Sequence, residues 1–141
     1  MTQLRHEQVS CPSCQKSQEV AIYDSINVDI DPDLKAKLLE GKINSFKCEH
    51  CGNDALINIS FFYHDMTRNF CVQYYPLRLL DRQEFYDDFS IDGKLNISKR
   101  VAIMVENYLS EPHIVFNMQE MLSYIMFRER LYDHYSPKYR S

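Results

Sequence analysis

From Glu19 to Ile30 apolar residues recur at even spacing, as Val20, Ile22, Ile26, Val28 and Ile30, with a break around Asp24-Ser25. A period of two turns one row of side chains to a core and the other to water, so the segment is expected to be a half-buried strand. A helix should follow. Asp31 stands where its carboxylate can cap the first free N–H groups, Pro32 lacks an N–H that a first helical turn leaves unpaired anyway, and Gly41 tolerates the left-handed conformation that stops a helix. Leu34, Leu38 and Leu39 are expected to face inward. Two β-branched or aromatic runs, Leu56 to His64 and Phe70 to Tyr75, are separated by the polar Asp65-Met66-Thr67-Arg68-Asn69, a connection suited to an antiparallel hairpin.

Beyond Tyr75-Pro76 the pattern changes to a helical one and cysteine disappears. Asp81 with Glu84 resembles a reciprocal cap before a short helix carrying Phe85 and Phe89, and Asp92-Gly93 reads as a turn. Val101, Met104, Val105, Tyr108 and Leu109 then fall on one helical face that must end before Pro112. His113 to Phe116 predicts a short strand. Asn117 with Glu120 repeats the capping arrangement ahead of a second such face, Met118, Met121, Leu122, Ile125 and Met126, with Arg128, Glu129 and Arg130 toward the wet side. The seam near Tyr75-Pro76 divides the chain into residues 1–76 and 77–141, which are expected to pack as one unit. It holds no Gly/Ser-rich or low-complexity linker, and the chain has no internal repeat beyond two cysteine pairs.

Composition narrows the class. The chain has 141 residues, 45% apolar and 13% aromatic, with three Gly and five Pro, enough side-chain volume for one real core and too little disorder-promoting content for an unfolded chain. Its 16 basic and 20 acidic residues leave a net charge of -4, spread over both halves, so neither half is an electrostatic trap for nucleic acid. No run approaches the roughly 18 apolar residues of a membrane span, and Met1 to Ser10 is too polar for a signal peptide. These features predict a soluble, cytoplasmic protein without membrane contact.

The strongest chemical signal is Cys11-Pro12-Ser13-Cys14 with Cys48-Glu49-His50-Cys51, two C-x-x-C pairs 33 residues apart. Zinc takes soft ligands in a tetrahedron, and two residues between cysteines let one tight turn aim both sulfurs at one ion while its N–H groups point at the thiolates. Pro12 presets such a turn and Gly52 permits the positive φ at its end. The gap exceeds the roughly 15 to 20 residues of compact zinc sites, and the strand and helix between Asp24 and Gly41 account for the excess as an insertion. With all four positions filled by protein, no metal-bound water remains to be activated, so the ion should be structural. Four thiolate charges and one doubly charged ion turn the formal -4 into -6. Lys16 and Lys47 lie close enough in sequence to soften that field. A thiol–disulfide centre is the alternative, but its thiolate should follow a buried strand, and the ten residues before Cys11 offer only Met1, Leu4 and Val9. A secreted disulfide framework is poorly supported by five cysteines and no secretion signal.

The opening Cys11-Pro12-Ser13-Cys14, the distant Cys48-Glu49-His50-Cys51-Gly52, the aromatic stretch Leu56 to Pro76 and the segment His113 to Asp133 resemble the CpXC protein family, a bacterial and archaeal family named for its cysteine motifs. The resemblance covers most of the chain. It implies metal ligands at Cys11, Cys14, Cys48 and Cys51, and it implies no activity. Gln15 departs from the pattern, standing where a Gly often follows the first motif.

Other candidates have blander readings. Cys71 beside His64 suggests a nucleophile, yet an isolated strand cysteine is usually a small core residue, and alternation puts neighbours on opposite faces. His50 competes poorly with four sulfurs for a metal. His6, His113 and His134 match no ligand or triad spacing. Asp24, Asp29, Asp31 and Asp33 lack the Gly and Glu of a calcium loop, and Asp87-Asp88 reads as a wet helix end. No phosphate-binding Gly pattern occurs. Phe61, Phe62, Tyr63, Phe70, Tyr74 and Tyr75 would need a basic surround to stack unpaired bases, and only Arg68 lies in that turn. Met118, Met121 and Met126 suit a core or an adaptable partner groove.

The expected protein is therefore α+β: a zinc-ribbon-like antiparallel β module with an inserted helix, plus a smaller, mainly helical half. The expected function is non-enzymatic, a structural four-cysteine zinc site supporting contact with another protein or with a second copy of the chain. A redox-sensing C-x-x-C protein is the second class, with disulfides forming inside each pair, and a single-stranded nucleic-acid binder the third.

Overall fold

The structure, a computed structural model, describes residues 2–95 and 111–136. The helix expected from Val101 to Leu109 lies outside the described residues. Two compact units follow one another along the chain, Met1–His64 and Asp65–Ser141, whereas composition changes at Tyr75-Pro76. The fold is mixed α+β, and among the described residues most elements are strands, with one long helix near the C-terminal end.

In the first unit β1 (Gln3–Ser10) and β2 (Ser17–Asn27) run antiparallel, joined through the first cysteine pair. Sequence pattern missed β1 because seven of its eight residues are exposed and carry no alternation; backbone pairing to β2 holds it. The expected break at Asp24-Ser25 is a bulge. Gln3 pairs with Ser25 and Leu4 with Tyr23, so Asp24 is the extra residue. Its carboxylate accepts a hydrogen bond from Arg5 Nε at 2.8 Å. The strand ends at Asn27 rather than Ile30. Asn27 Oδ1 accepts the Asp29 N–H and its carbonyl accepts from Ile30 and Asp31, an Asx turn that leaves Ile30 exposed.

Helix α1 (Pro32–Leu39) starts at Pro32 as expected, but the Asp31 side chain makes no capping bond; its carbonyl accepts the Leu34 N–H instead. Gly41, at φ +75°, stops the helix in a Schellman arrangement: the Gly41 N–H reaches the Leu38 carbonyl and the Lys42 N–H the Lys37 carbonyl. Leu34 and Leu38 are buried, and Leu39, one position round the helix, is exposed. Next come β3 (Ser45–Lys47) and β4 (Asp54–Leu56), a short antiparallel pair joined through the second cysteine pair. The strand expected from Leu56 is thereby split. Leu56 ends β4, the Ile57 N–H goes to the Asn44 carbonyl, and β5 (Phe61–Asp65) begins only at Phe61. Residues of β5 pair with β2 in parallel, Ser25 with Phe62 and Asn27 with His64, because α1 and the β3–β4 pair give the connection crossover length. The expected all-antiparallel module is corrected on that point. Val20, Ile22, Ile26, Leu34, Leu38, Ile43, Phe61 and Tyr63 form the core.

The described residues of the second unit differ from their pattern at one expected helix. It holds β6 (Phe70–Tyr74) and β7 (His113–Val115), paired in parallel, with Val72 opposite His113 and Tyr74 opposite Val115. Leu77–Asp81 and Gln83–Asp88 are 3-10 turns with extended Arg82 between them, so Asp81 and Glu84 form no reciprocal cap. Phe85 is buried there against the Tyr75 ring at 4.9 Å. Asp92-Gly93 turns the chain as expected, Asp92 Oδ1 accepting the Lys94 N–H. Helix α2 (Met118–Tyr135) starts at Asn117, whose Oδ1 accepts the Gln119 N–H at 2.7 Å. Of its expected inner face, Met121 and Ile125 are buried and Met126 is exposed. Among the described residues no helix is long and apolar enough to cross a membrane.

Candidate metal centre

The four cysteines of the two pairs converge: their sulfurs lie within 4.8 Å of one another, with Cys11 to Cys51 and Cys14 to Cys48 both at 3.6 Å. Each pair occupies the tip of a two-stranded hairpin, and the two tips repeat each other bond for bond. The Gln15 N–H donates to the Cys11 carbonyl and the Cys11 N–H to the Lys16 carbonyl; the Gly52 N–H donates to the Cys48 carbonyl and the Cys48 N–H to the Asn53 carbonyl. The first sulfur of each pair accepts a backbone N–H at 3.4 Å, from Ser13 and from His50. The first cysteines are buried, Cys11 at 1% and Cys48 at 2%, while Cys14 is half-buried and Cys51 exposed.

This donor set fits a tetrahedral thiolate-bound ion. Zinc–sulfur bonds of about 2.3 Å require sulfur–sulfur edges of about 3.8 Å, against about 2.05 Å for a disulfide. The observed 3.6 Å lies near the first. Electrostatics point the same way. The Cys14 N–H holds the Cys11 thiol down at about 6, against the opposing cost of burial. The Cys51 N–H lowers Cys48 likewise. Cys51 goes the other way, to about 12: the Asn53 N–H pulls it down, but desolvation and the sulfurs of Cys11, Cys48 and Cys14 outweigh that pull. Four sulfurs this close repel one another as thiolates, and a cation at their centre removes that conflict.

Two side chains that the sequence reading missed tie the second hairpin to β2. Gln18 Oε1 accepts the Glu49 N–H at 2.9 Å and Gln18 Nε2 donates to the Lys47 carbonyl at 3.4 Å. Asn44 Oδ1 accepts the Tyr23 N–H at 2.8 Å while its Nδ2 donates to the Tyr23 carbonyl at 2.9 Å. Nothing in the sequence marks Gln18; Asn44, at φ 54°, belongs to the residue type that tolerates the left-handed region.

The remaining candidates do not assemble. Cys71 is a buried strand residue at 3% exposure. His50 is exposed, with its Nε2 3.6 Å from Glu49 Oε1. His113 stacks face to face on Tyr124 at 3.8 Å, and burial lowers its pKa. Among the described residues the four cysteines are the one group of three or more Cys, His, Asp or Glu donors close enough to hold an ion, so Asp24, Asp29, Asp31 and Asp33 converge on nothing. Of the aromatic candidates Phe61, Tyr63, Phe70 and Tyr74 are buried.

The model of the family described as CpXC protein matches residues 9–135. The chain belongs to the CpXC family. No curated protein and no solved structure matches it. The match runs from just before the first cysteine pair to the end of α2, so this CpXC chain carries both hairpin tips and α2 inside one family region.

The tips differ at one position. Gly52 takes φ +78°, and its counterpart Gln15 takes φ 63°, with a side chain in a region that costs roughly 1–2 kcal/mol. Gln15→Gly relieves that cost and returns about 0.4–1 kcal/mol through unfolded-chain entropy. A net stabilisation of about 0.5–1 kcal/mol is expected, read as a rise in the denaturant midpoint of the metal-loaded protein. An unchanged or lower midpoint would count against strain at Gln15.

Proposed function

We propose that Cys11, Cys14, Cys48 and Cys51 hold one structural zinc ion, and that the chain is a non-enzymatic, zinc-ribbon-like module that binds another protein in a reducing, cytoplasmic setting. The observation that carries this reading is the closed shell of four sulfurs supplied by two matching hairpin tips. A shell filled by protein leaves the ion no position for water or substrate, so its chemistry is to fix the loops around it. Thiols at these spacings persist only where thiols stay reduced. The aromatic rings of Phe61, Tyr63, Phe70 and Tyr74 are buried, which speaks against the stacking of unpaired bases on this sheet.

The test is metal content with thiol counting on protein purified without chelator. About one zinc per chain and four thiols that alkylate only after metal removal are expected. No zinc, with two disulfides in its place, would overturn the structural reading. One observation favours a second reading, metal release on oxidation: Cys51 is exposed and its sulfur is 3.6 Å from that of Cys11. Peroxide would take two electrons from that pair, forming one disulfide across the two tips and water. Zinc retained under mild peroxide would rule it out.

A further inference from the structure

Helix α2 has two faces of different fate. Met121 and Ile125 are buried on one. On the opposite side Glu120, Ser123, Phe127, Arg130 and His134 are all exposed, at successive spacings of three, four, three and four, which puts them in one stripe along the helix. Phe127 is 55% exposed on this stripe, with Met126 at 39% and Leu131 at 37% beside it. These three lie beside Ser123, Arg130 and His134 on one open surface of the helix. All six belong to α2, so the face offers one projecting ring among flanking apolar side chains, with no other element of the described residues lining it.

Charge decides the occupant and its direction. The acid of the stripe, Glu120, lies in the first turn of α2, and its bases, Arg130 and His134, lie toward the last. Phe127 falls midway, seven residues from both Glu120 and His134. A second identical helix laid antiparallel, with the two-fold axis at Phe127, brings Glu120 of each copy to the Arg130–His134 end of the other. It also places Phe127 against Phe127, and opposes the helix dipoles. A parallel pair would set acid against acid and base against base. Arg128 is engaged elsewhere, its guanidinium 4.8 Å from the Phe70 ring centroid and its Nη1 donating to Tyr124 Oη.

We propose that this CpXC chain forms a two-fold homodimer through antiparallel pairing of the exposed face of α2. The proposal rests on the protein-binding reading above and names its partner as a second copy. At about 1.5 Å per residue the 18-residue helix is about 27 Å long, so the contact lies at the small end of specific interfaces and the dimer dissociates on dilution.

Sedimentation velocity of the zinc-loaded full chain over a concentration series tests it. The wild type should pass from monomer to dimer. Phe127→Asp should raise the dissociation constant about 30-fold or more, with unchanged circular dichroism, since Phe127 packs outward. Glu120→Arg should weaken the dimer, and adding Arg130→Glu to it should restore the dimer. A chain that carries zinc but stays monomeric, a dimer indifferent to Phe127→Asp, or a charge swap without rescue would each overturn the pairing and leave the zinc-module reading standing. A zinc-free chain that dimerises through Phe127 would overturn the zinc reading and support the pairing.

Discussion

Stripping the metal from the four sulfurs is expected to unfold residues 1–64, with loss of the far-ultraviolet circular dichroism of that unit and of its cooperative transition. The reason lies in how little else holds the second hairpin. Strands β3 and β4 have three residues each, and isolated two-stranded hairpins are marginal in water. Their fixed points are the Gln18 and Asn44 bonds to backbone and the burial of Ile43 and Ala55. A structural zinc site contributes about 10–16 kcal/mol of apparent binding free energy, as large as the whole stability of a typical domain, about 5–15 kcal/mol. Cys48→Ser, which removes a buried sulfur of the cluster, should act in the same direction as chelation. Acid should do so too. The Cys11 thiol, lowered to about 6, contributes stability that is present above the ordinary thiol value and is lost as pH falls through about 6. Protonation of the ligands also expels the ion, so the two effects add on the acid side. A chelated protein that keeps its circular dichroism and melting temperature would show that the sulfurs are not what holds this unit.

What the sequence disclosed and what it hid follow from the range of the forces involved. The cysteine pairs were legible because donor softness and a two-residue spacing are local properties. The stop of α1 at Gly41 and the start of α2 at Asn117 were legible for the same reason: each depends on one residue and its neighbours within a turn. The strand β1 was not. Its residues are exposed almost throughout, so no alternation records a pairing that belongs to the backbone and to β2. Strands β3 and β4 were hidden because three residues are too few to show a period, and Leu56 read as the start of the next strand rather than the end of this one. Asp81 and Glu84 have capping identities, but the chain around Arg82 is extended, and side-chain identity alone does not make a helix. Gln18 and Asn44 act across more than twenty residues of sequence, where a single chain carries no signal.

Asp65→Ala is expected to destabilise the second unit by about 3–5 kcal/mol, the cost of leaving one partner of a buried ion pair uncompensated. Asp65 is fully buried, at 0% exposure. Its Oδ1 accepts the Arg68 backbone N–H and its Oδ2 accepts from Arg68 Nη1, both at 2.9 Å, so one carboxylate closes the turn at 66–69 and neutralises its guanidinium. That guanidinium, 25% exposed, lies 5.4 Å from the ring centroid of Tyr132 on α2. The pair therefore links the turn before β6 to the long helix. Alanine removes the acceptor for the N–H and leaves the Arg68 charge with little water around it. Asparagine keeps an acceptor for the N–H while losing the charge and the acceptor for Arg68 Nη1, so Asp65→Asn should cost less than Asp65→Ala, which loses both acceptors. Removing both charges should recover part of the loss: Asp65→Asn combined with Arg68→Met is expected to be more stable than the sum of its single changes, by about 0.5–3 kcal/mol. Urea unfolding of the metal-loaded protein reads all four variants on one scale. Additive single changes, or an Asp65→Ala loss within the range of an exposed surface pair, about 0–1 kcal/mol, would mean that the turn is held by its backbone and the ion pair is incidental.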